Sequence, residues 1–132
     1  MTSSDVDGEV VEDYGHGKIV RDVDGAGADR YHFVVPLEGR MKSFENPDKA
    51  RLYADVYDAM GGFREEKTGE RGVPPSVARA REDLLMAYLV AQPTMSTEWV
   101  ARHYDLPEGQ IRQYVRGVRE RAEQQREESN DE

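Results

Sequence analysis

Apolar and polar positions change rhythm along this chain. Early on, the apolar residues fall in short runs: Ile19, Val20 and Val23 within Gly17–Val23, then Tyr31, Phe33, Val34 and Val35 within Arg30–Leu37. Runs of this length read as β-strands. The intervening DVDGAGAD has the Asp and Gly content of a turn, so the two runs predict a hairpin. A shorter strand is expected over Glu9–Tyr14. From Asn46 the spacing becomes helical. Asn46 is a good N-cap and Pro47 suits the first helical position. Ala50, Tyr53, Val56 or Tyr57, and Met60 then share a face until Gly61–Gly62 supplies a stop.

The next stretch, REEKTGERGVPP, mixes charge with glycine and ends in two prolines, which is linker composition. Beyond it the pattern is helical throughout. Ser76 is placed to cap a helix carrying LLMAYLVA, which is apolar on more than one face and so expected at the centre of a core. Pro93 closes it. Ser96 caps a second helix, with Glu98 in its first turn where the dipole favours negative charge. A third starts near Pro107 and extends beyond Arg121. The pattern therefore predicts an α+β protein: an N-terminal tail (1–8), a β-hairpin and helix (9–63), a linker (64–75), a tri-helical helix-turn-helix unit (76–126) and an acidic tail (127–132). REESNDE, the last seven residues, reads as solvated.

Composition narrows the class. Of 132 residues 37% are hydrophobic and 34% charged, enough apolar content for a core beneath a heavily solvated surface. Absence of cysteine excludes disulfides and thiolate metal sites. The longest apolar run, Leu84–Ala91, is too short to span a bilayer, and the N-terminus lacks the basic start and apolar core of a signal peptide. The expectation is a cytoplasmic protein with no membrane partner. Acids outnumber bases 27 to 18, giving a net charge of -9. The only lysines are Lys18, Lys42, Lys49 and Lys67, and the only isoleucines Ile19 and Ile111. This balance resembles the proteins of salt-loving archaea, whose cytoplasm screens charge over a few ångströms.

Helix-turn-helix sterics fit the stretch after Thr97. Val100 and Tyr104 fall at the buried positions of the first helix, and Ala101 where the crossing helices need a small side chain. Leu106 plugs the turn, and Ile111 with Tyr114 faces the core from the second helix. Asp105 stands where glycine is common for its left-handed backbone, a conformation Asp tolerates better than most residues. At LPEGQIRQYVRGVRERAE the chain resembles region 4 of sigma factors, especially the extracytoplasmic-function group. There a Pro-Glu-Gly step opens a recognition helix, here Pro107, Glu108 and Gly109. The resemblance covers Thr97–Arg121 and does not extend to a polymerase-binding region. It implies a DNA-reading fold.

Faces of that helix assign roles. Ile111, Tyr114, Val115, Val118 and Ala122 form one stripe, while Arg112, Arg116 and Arg119 line a flank beside Gln113. In such a module the exposed face of the second helix enters the major groove. Arg bonds guanine O6 and N7 in bidentate fashion, and Gln bonds adenine N6 and N7. Arg112, Gln113 and Arg116 are therefore the candidate base contacts, with Arg119, Arg121 and Arg102 on phosphates. Locally the charge is favourable: Pro107–Arg126 holds five arginines against Glu108, Glu120 and Glu123. The acidity lies elsewhere, since residues 1–72 hold 16 acids against 10 bases.

Other readings stand beside this one. Arg116–Glu120 and Arg119–Glu123 are spaced as i,i+4 pairs on a solvated face. A helix-turn-helix also serves as a protein-docking adaptor. The helix from Pro47 to Met60 can pack against the one containing Leu84–Ala91, or, as the preferred reading, provide a homodimer contact that pairs two recognition helices on a two-fold DNA site. No enzymatic activity, cofactor or metal is expected. His16 lies between glycines with no second ligand at useful spacing, His32 reads as a surface or packing residue, and His103 as solvent-facing. DVDGAGAD lacks the further ligands and closing Glu of a calcium loop.

Overall fold

The first third of the chain forms four strands, β1 (Glu9–Asp13), β2 (Lys18–Val23), β3 (Asp29–Val35) and β4 (Gly39–Phe44). The computed structural model describes residues 8–23, 25–36, 39–63, 77 and 80–130. The strands form one antiparallel sheet in the order β1-β2-β3-β4. Its register sets Ile19 against Phe33, and Tyr31 against Phe44. Side chains alternate faces along a strand, so Ile19, Phe33, Val35 and Phe44, all buried, share the face toward the helices. Gly17 is needed at the head of β2, because a Cβ there would lie 2.6 Å from the Phe33 ring.

β4 is a strand the hydrophobic pattern did not predict. Its core-side positions include Lys42, whose Nζ lies 5.8 and 5.6 Å from the ring centres of Tyr53 and Tyr88. The lysine stem occupies an apolar position while its ammonium rests over the rings and donates to Gln92 Oε1 at 2.7 Å. A charged residue thus interrupts the apolar alternation by which a strand is recognised.

Helix α1 (Pro47–Ala59) starts as its cap dictates, with Asn46 Oδ1 accepting from the Asp48 N–H at 2.7 Å. It stops at Gly61 and Gly62, whose φ values of 77° and 100° are left-handed. Helices α2 (Glu82–Ala91), α3 (Thr97–His103) and α4 (Glu108–Asn130) follow. Ser96 Oγ caps α3 by accepting from the Trp99 N–H at 3.0 Å; Ser76 and the linker 64–75 lie outside the described residues. Lys49 of α1 reaches the end of α2, donating to Val90 O at 2.5 Å, to Gln92 O at 2.8 Å and to Met95 O. A cation suits carbonyls left unpaired at a helix C-terminus.

Two features complete the fold. α4 continues to Asn130, so Arg126–Asn130 is helix, with Glu127 and Glu128 exposed on it as expected of a solvated segment. The reason is Arg126, which pairs with acids on α1 and extends the docked face of α4 beyond its apolar stripe. Secondly, α1 faces inward. Leu52, Tyr53 and Val56 are buried, and α1 packs against both α2 and α4. Its apolar flanks are therefore covered within the chain, as in packing against the Leu84–Ala91 helix. Tyr53 stands at the centre of an aromatic group, with ring centres 5.4–6.0 Å from those of Phe33, Phe44, Phe63 and Tyr88. One core continues from the sheet through these rings to Val100, Ile111, Val118 and Ala122. No helix among the described residues is long and apolar enough to cross a membrane.

Candidate nucleic-acid interface

The turn between α3 and α4 follows from its residues. Val100 and Ala101 are buried under α4, and the chain reverses through Tyr104, Asp105 and Leu106. Asp105 has φ 56°, the left-handed conformation expected of it, and is the one described non-glycine residue with positive φ. Leu106 then donates its N–H to Ala101 O at 2.9 Å and tucks its side chain against the core. Pro107 precedes α4, which presents Ile111, Val118 and Ala122 to the core with Tyr114 and Val115 at its margins. The Tyr114 hydroxyl donates to Glu82 Oε2 at 2.5 Å, tying α4 to the first turn of α2. That bond to a carboxylate raises the phenol above its usual range.

Clamped on one side, α4 exposes Arg112, Gln113 and Arg116 together on the other. Arg112 is 65% exposed and donates to Glu108 Oε1 at 3.1 Å. Arg102 on α3 donates to Glu98 Oε1 at 2.6 Å, with both side chains well exposed. Exposed i,i+4 pairs contribute about 0.5 kcal/mol or less, so an external anion displaces them at little cost. Gly109 and Gly117 flank Gln113 at i-4 and i+4. Both are exposed, and a Cβ added to either would meet nothing within the chain. Glycine inside a helix costs about 1 kcal/mol relative to alanine, and no intrachain contact here explains that cost.

The other predicted contacts separate from this patch. Arg121 is half-buried and lies well around the helix from Arg116. Arg119 turns to the body and donates to Asp55 Oδ2 at 2.8 Å. The intrahelical pairing with Glu123 is replaced by a longer-range one. Arg126 extends the same flank. Its Nε donates to Asp58 Oδ2 at 2.6 Å, and its Nη2 lies 2.9 Å from Asp55 Oδ1, off the hydrogen-bonding direction. The Tyr14 ring covers it, with 4.1 Å from guanidinium carbon to ring centre. Burial works against the Arg126 charge, but the bond to Asp58 and the two carboxylates outweigh it and raise its proton affinity. On the other side of the pair, burial pushes the Asp55 carboxyl up despite the pull of Arg126 and Arg119.

Asp55 and Asp58 carried a signal in the sequence. They sit at i and i+3, adjoining the apolar face of α1, while Arg119 and Arg126 sit at i and i+7 on one flank of α4. Acids at core-facing phase on one helix, matched by arginines on another, mark a buried ion-pair network. The histidines divide similarly. His103 is exposed and stacks on Trp99 with ring centres 4.7 Å apart. His32 is buried, with Nδ1 2.7 Å from Ser43 Oγ and Nε2 3.0 Å from Asp22 Oδ1, so its polar atoms are satisfied across the sheet. Among the described residues no group of three or more His, Asp or Glu is placed to hold a metal ion.

The chain matches no family model, no curated protein and no solved structure.

Proposed function

We propose that this protein binds double-stranded DNA as a small regulator of transcription, with α3 and α4 acting as a helix-turn-helix. The observation that carries the reading is the joint exposure of Arg112, Gln113 and Arg116 on a helix whose opposite side is held by the core. The left-handed Asp105 turn and the buried Val100, Ala101 and Ile111 supply the sterics of such a pair. α4 enters the major groove with Arg112 and Arg116 on guanine edges and Gln113 on adenine. Gly109 and Gly117 let the duplex approach the helix backbone closely. Arg102 and Arg121 contact phosphates. Arg119, held by Asp55, steadies α4 instead. With so few phosphate contacts on an acidic body, non-specific affinity is weak and salt dependence shallow.

Selection of bound sequences from random DNA at molar salt, repeated with the Arg112→Ala, Arg116→Ala double variant, tests the proposal. The native chain is expected to enrich a defined motif and the variant to lose it. Enrichment unaltered by the double change sinks this choice of reading face. Trp99 supports a second reading. It is 42% exposed on α3, an unusual position for a large ring unless a partner covers it. Under that reading the same two helices dock a protein, and a high-salt pull-down recovers a stoichiometric partner without DNA.

A further inference from the structure

The sheet face turned away from the helices carries a polar cluster that DNA binding does not use. His32 sits opposite Val20 of β2 and Ser43 of β4. It alternates with the core-facing Phe33, so its ring lies on that outer face. Asp22 is its diagonal neighbour, two residues beyond Val20 on β2. His32 Nε2 lies 3.0 Å from Asp22 Oδ1, and His32 Nδ1 lies 2.7 Å from Ser43 Oγ. Three strands thus bring a hydroxyl, an imidazole and a carboxylate into one hydrogen-bonded line.

The contacts fix the tautomer. A carboxylate oxygen only accepts, so the Nε2 proton points at Asp22 and the neutral ring keeps its lone pair at Nδ1. The Ser43 hydroxyl therefore donates to Nδ1. A hydroxyl bonded to a base that a third group orients is the arrangement of an activated nucleophile. The His32 side chain is 6% exposed, so water competes little for its bonds, while Ser43 is half-buried and reachable from outside. β4 is an edge strand, bonded to β3 alone. Successive N–H groups of an antiparallel strand point alternately toward and away from the partner. A backbone N–H at or next to Ser43 therefore points away from β3, toward the space where an oxyanion would form.

We propose that Ser43 is a nucleophile for acyl transfer from small activated esters, with His32 as its base and Asp22 positioning His32. Oγ attacks the acyl carbon while its proton passes to Nδ1. The ester C–O bond then breaks, and the departing alkoxide takes that proton and leaves as the alcohol. Water, deprotonated by the same nitrogen, attacks the acyl-serine, releasing the carboxylic acid and returning the proton to Oγ. The inference does not depend on DNA binding.

The test treats the full chain, without DNA, with an alkyl fluorophosphonate and, separately, with p-nitrophenyl acetate. The fluorophosphonate is expected to add once, on Ser43 by peptide mapping, with loss of fluoride. Ser43→Ala should abolish the adduct and slow nitrophenol release by roughly tenfold or more. Asp22→Asn keeps the side chain's size but removes the charge that stabilises the imidazolium. It should slow labelling and ester cleavage by roughly tenfold to a hundredfold, in a chain whose circular dichroism is unchanged. In ¹⁵N spectra of the native chain, His32 should show a protonated Nε2 and a lone-pair Nδ1. The inference is overturned by no adduct at Ser43 in the native chain, by the opposite tautomer, by ester cleavage undiminished in Ser43→Ala, or by labelling unslowed in Asp22→Asn.

Discussion

The two halves of α4 use the same residue type in opposite ways. Arg112 and Arg116 in the first half are exposed. Arg119 and Arg126 in the second half reach across to α1, where Arg126 is only 17% exposed. Helical phase explains part of the difference, since the apolar stripe ends near Ala122 and Arg126 follows on its flank. The partner helix explains the rest, because α1 places Asp55 and Asp58 opposite that flank. One helix thus combines a solvated patch free to engage a ligand with an ion-paired segment that anchors it.

Stability should separate the halves most sharply. Asp55→Ala or Arg126→Ala removes one side of a buried pair and is expected to cost about 3–5 kcal/mol in urea unfolding. Arg112→Ala with Arg116→Ala should stay within about 0.5 kcal/mol of the native chain. Similar losses in both sets would erase the distinction. Affinity should run the other way. Under the proposed function each of Arg112 and Arg116 contributes about 1–3 kcal/mol of base discrimination. Arg119→Ala, in conditions where it stays folded, should leave the selected DNA motif unchanged, and a shifted motif would place Arg119 back on the interface.

A smaller effect tests the glycines. Gly117→Ala is expected to raise stability by about 0.5–1 kcal/mol while weakening DNA binding. If binding is untouched, nothing approaches the helix closely there. The smallest effect concerns pH at Lys49. Burial lowers its proton affinity in the fold below the ordinary 10.5. Between that lowered value and 10.5 the unfolded chain binds more protons, so stability rises with pH across this window. Lys49→Met should remove that rise; an unchanged slope of stability against pH would assign it to another group.

Three of the strands and the starts of α1, α3 and α4 were legible because they depend on near neighbours. α2, by contrast, starts at Glu82 after Arg81, which gives it no side-chain cap, and not from Ser76. Asn46 with Pro47, Ser96, and the glycine pair after α1 act within a turn of themselves. Asp105 could be assigned a left-handed backbone from its place between Tyr104 and Leu106. β4 escaped because Lys42 occupies an inward position that only Tyr53 and Tyr88, distant in sequence, make acceptable. The exposed patch was legible as a helical face. Arg119 was not separable from Arg116 on spacing alone, since both lie on the same side of the stripe.

By itself the sequence determined where most elements begin and end, which face of α4 is apolar and which residue carries the reversal before it. Those outcomes rest on caps, turn chemistry and periodicity, which act over a few residues. Tertiary structure alone decided that α1 is buried within the chain, that the supposed tail is helix, and that His32 is held between Ser43 and Asp22. Each depends on pairing groups far apart along the chain. A lone Asp or Arg favours water, and only its partner across the core makes burial cheaper than exposure.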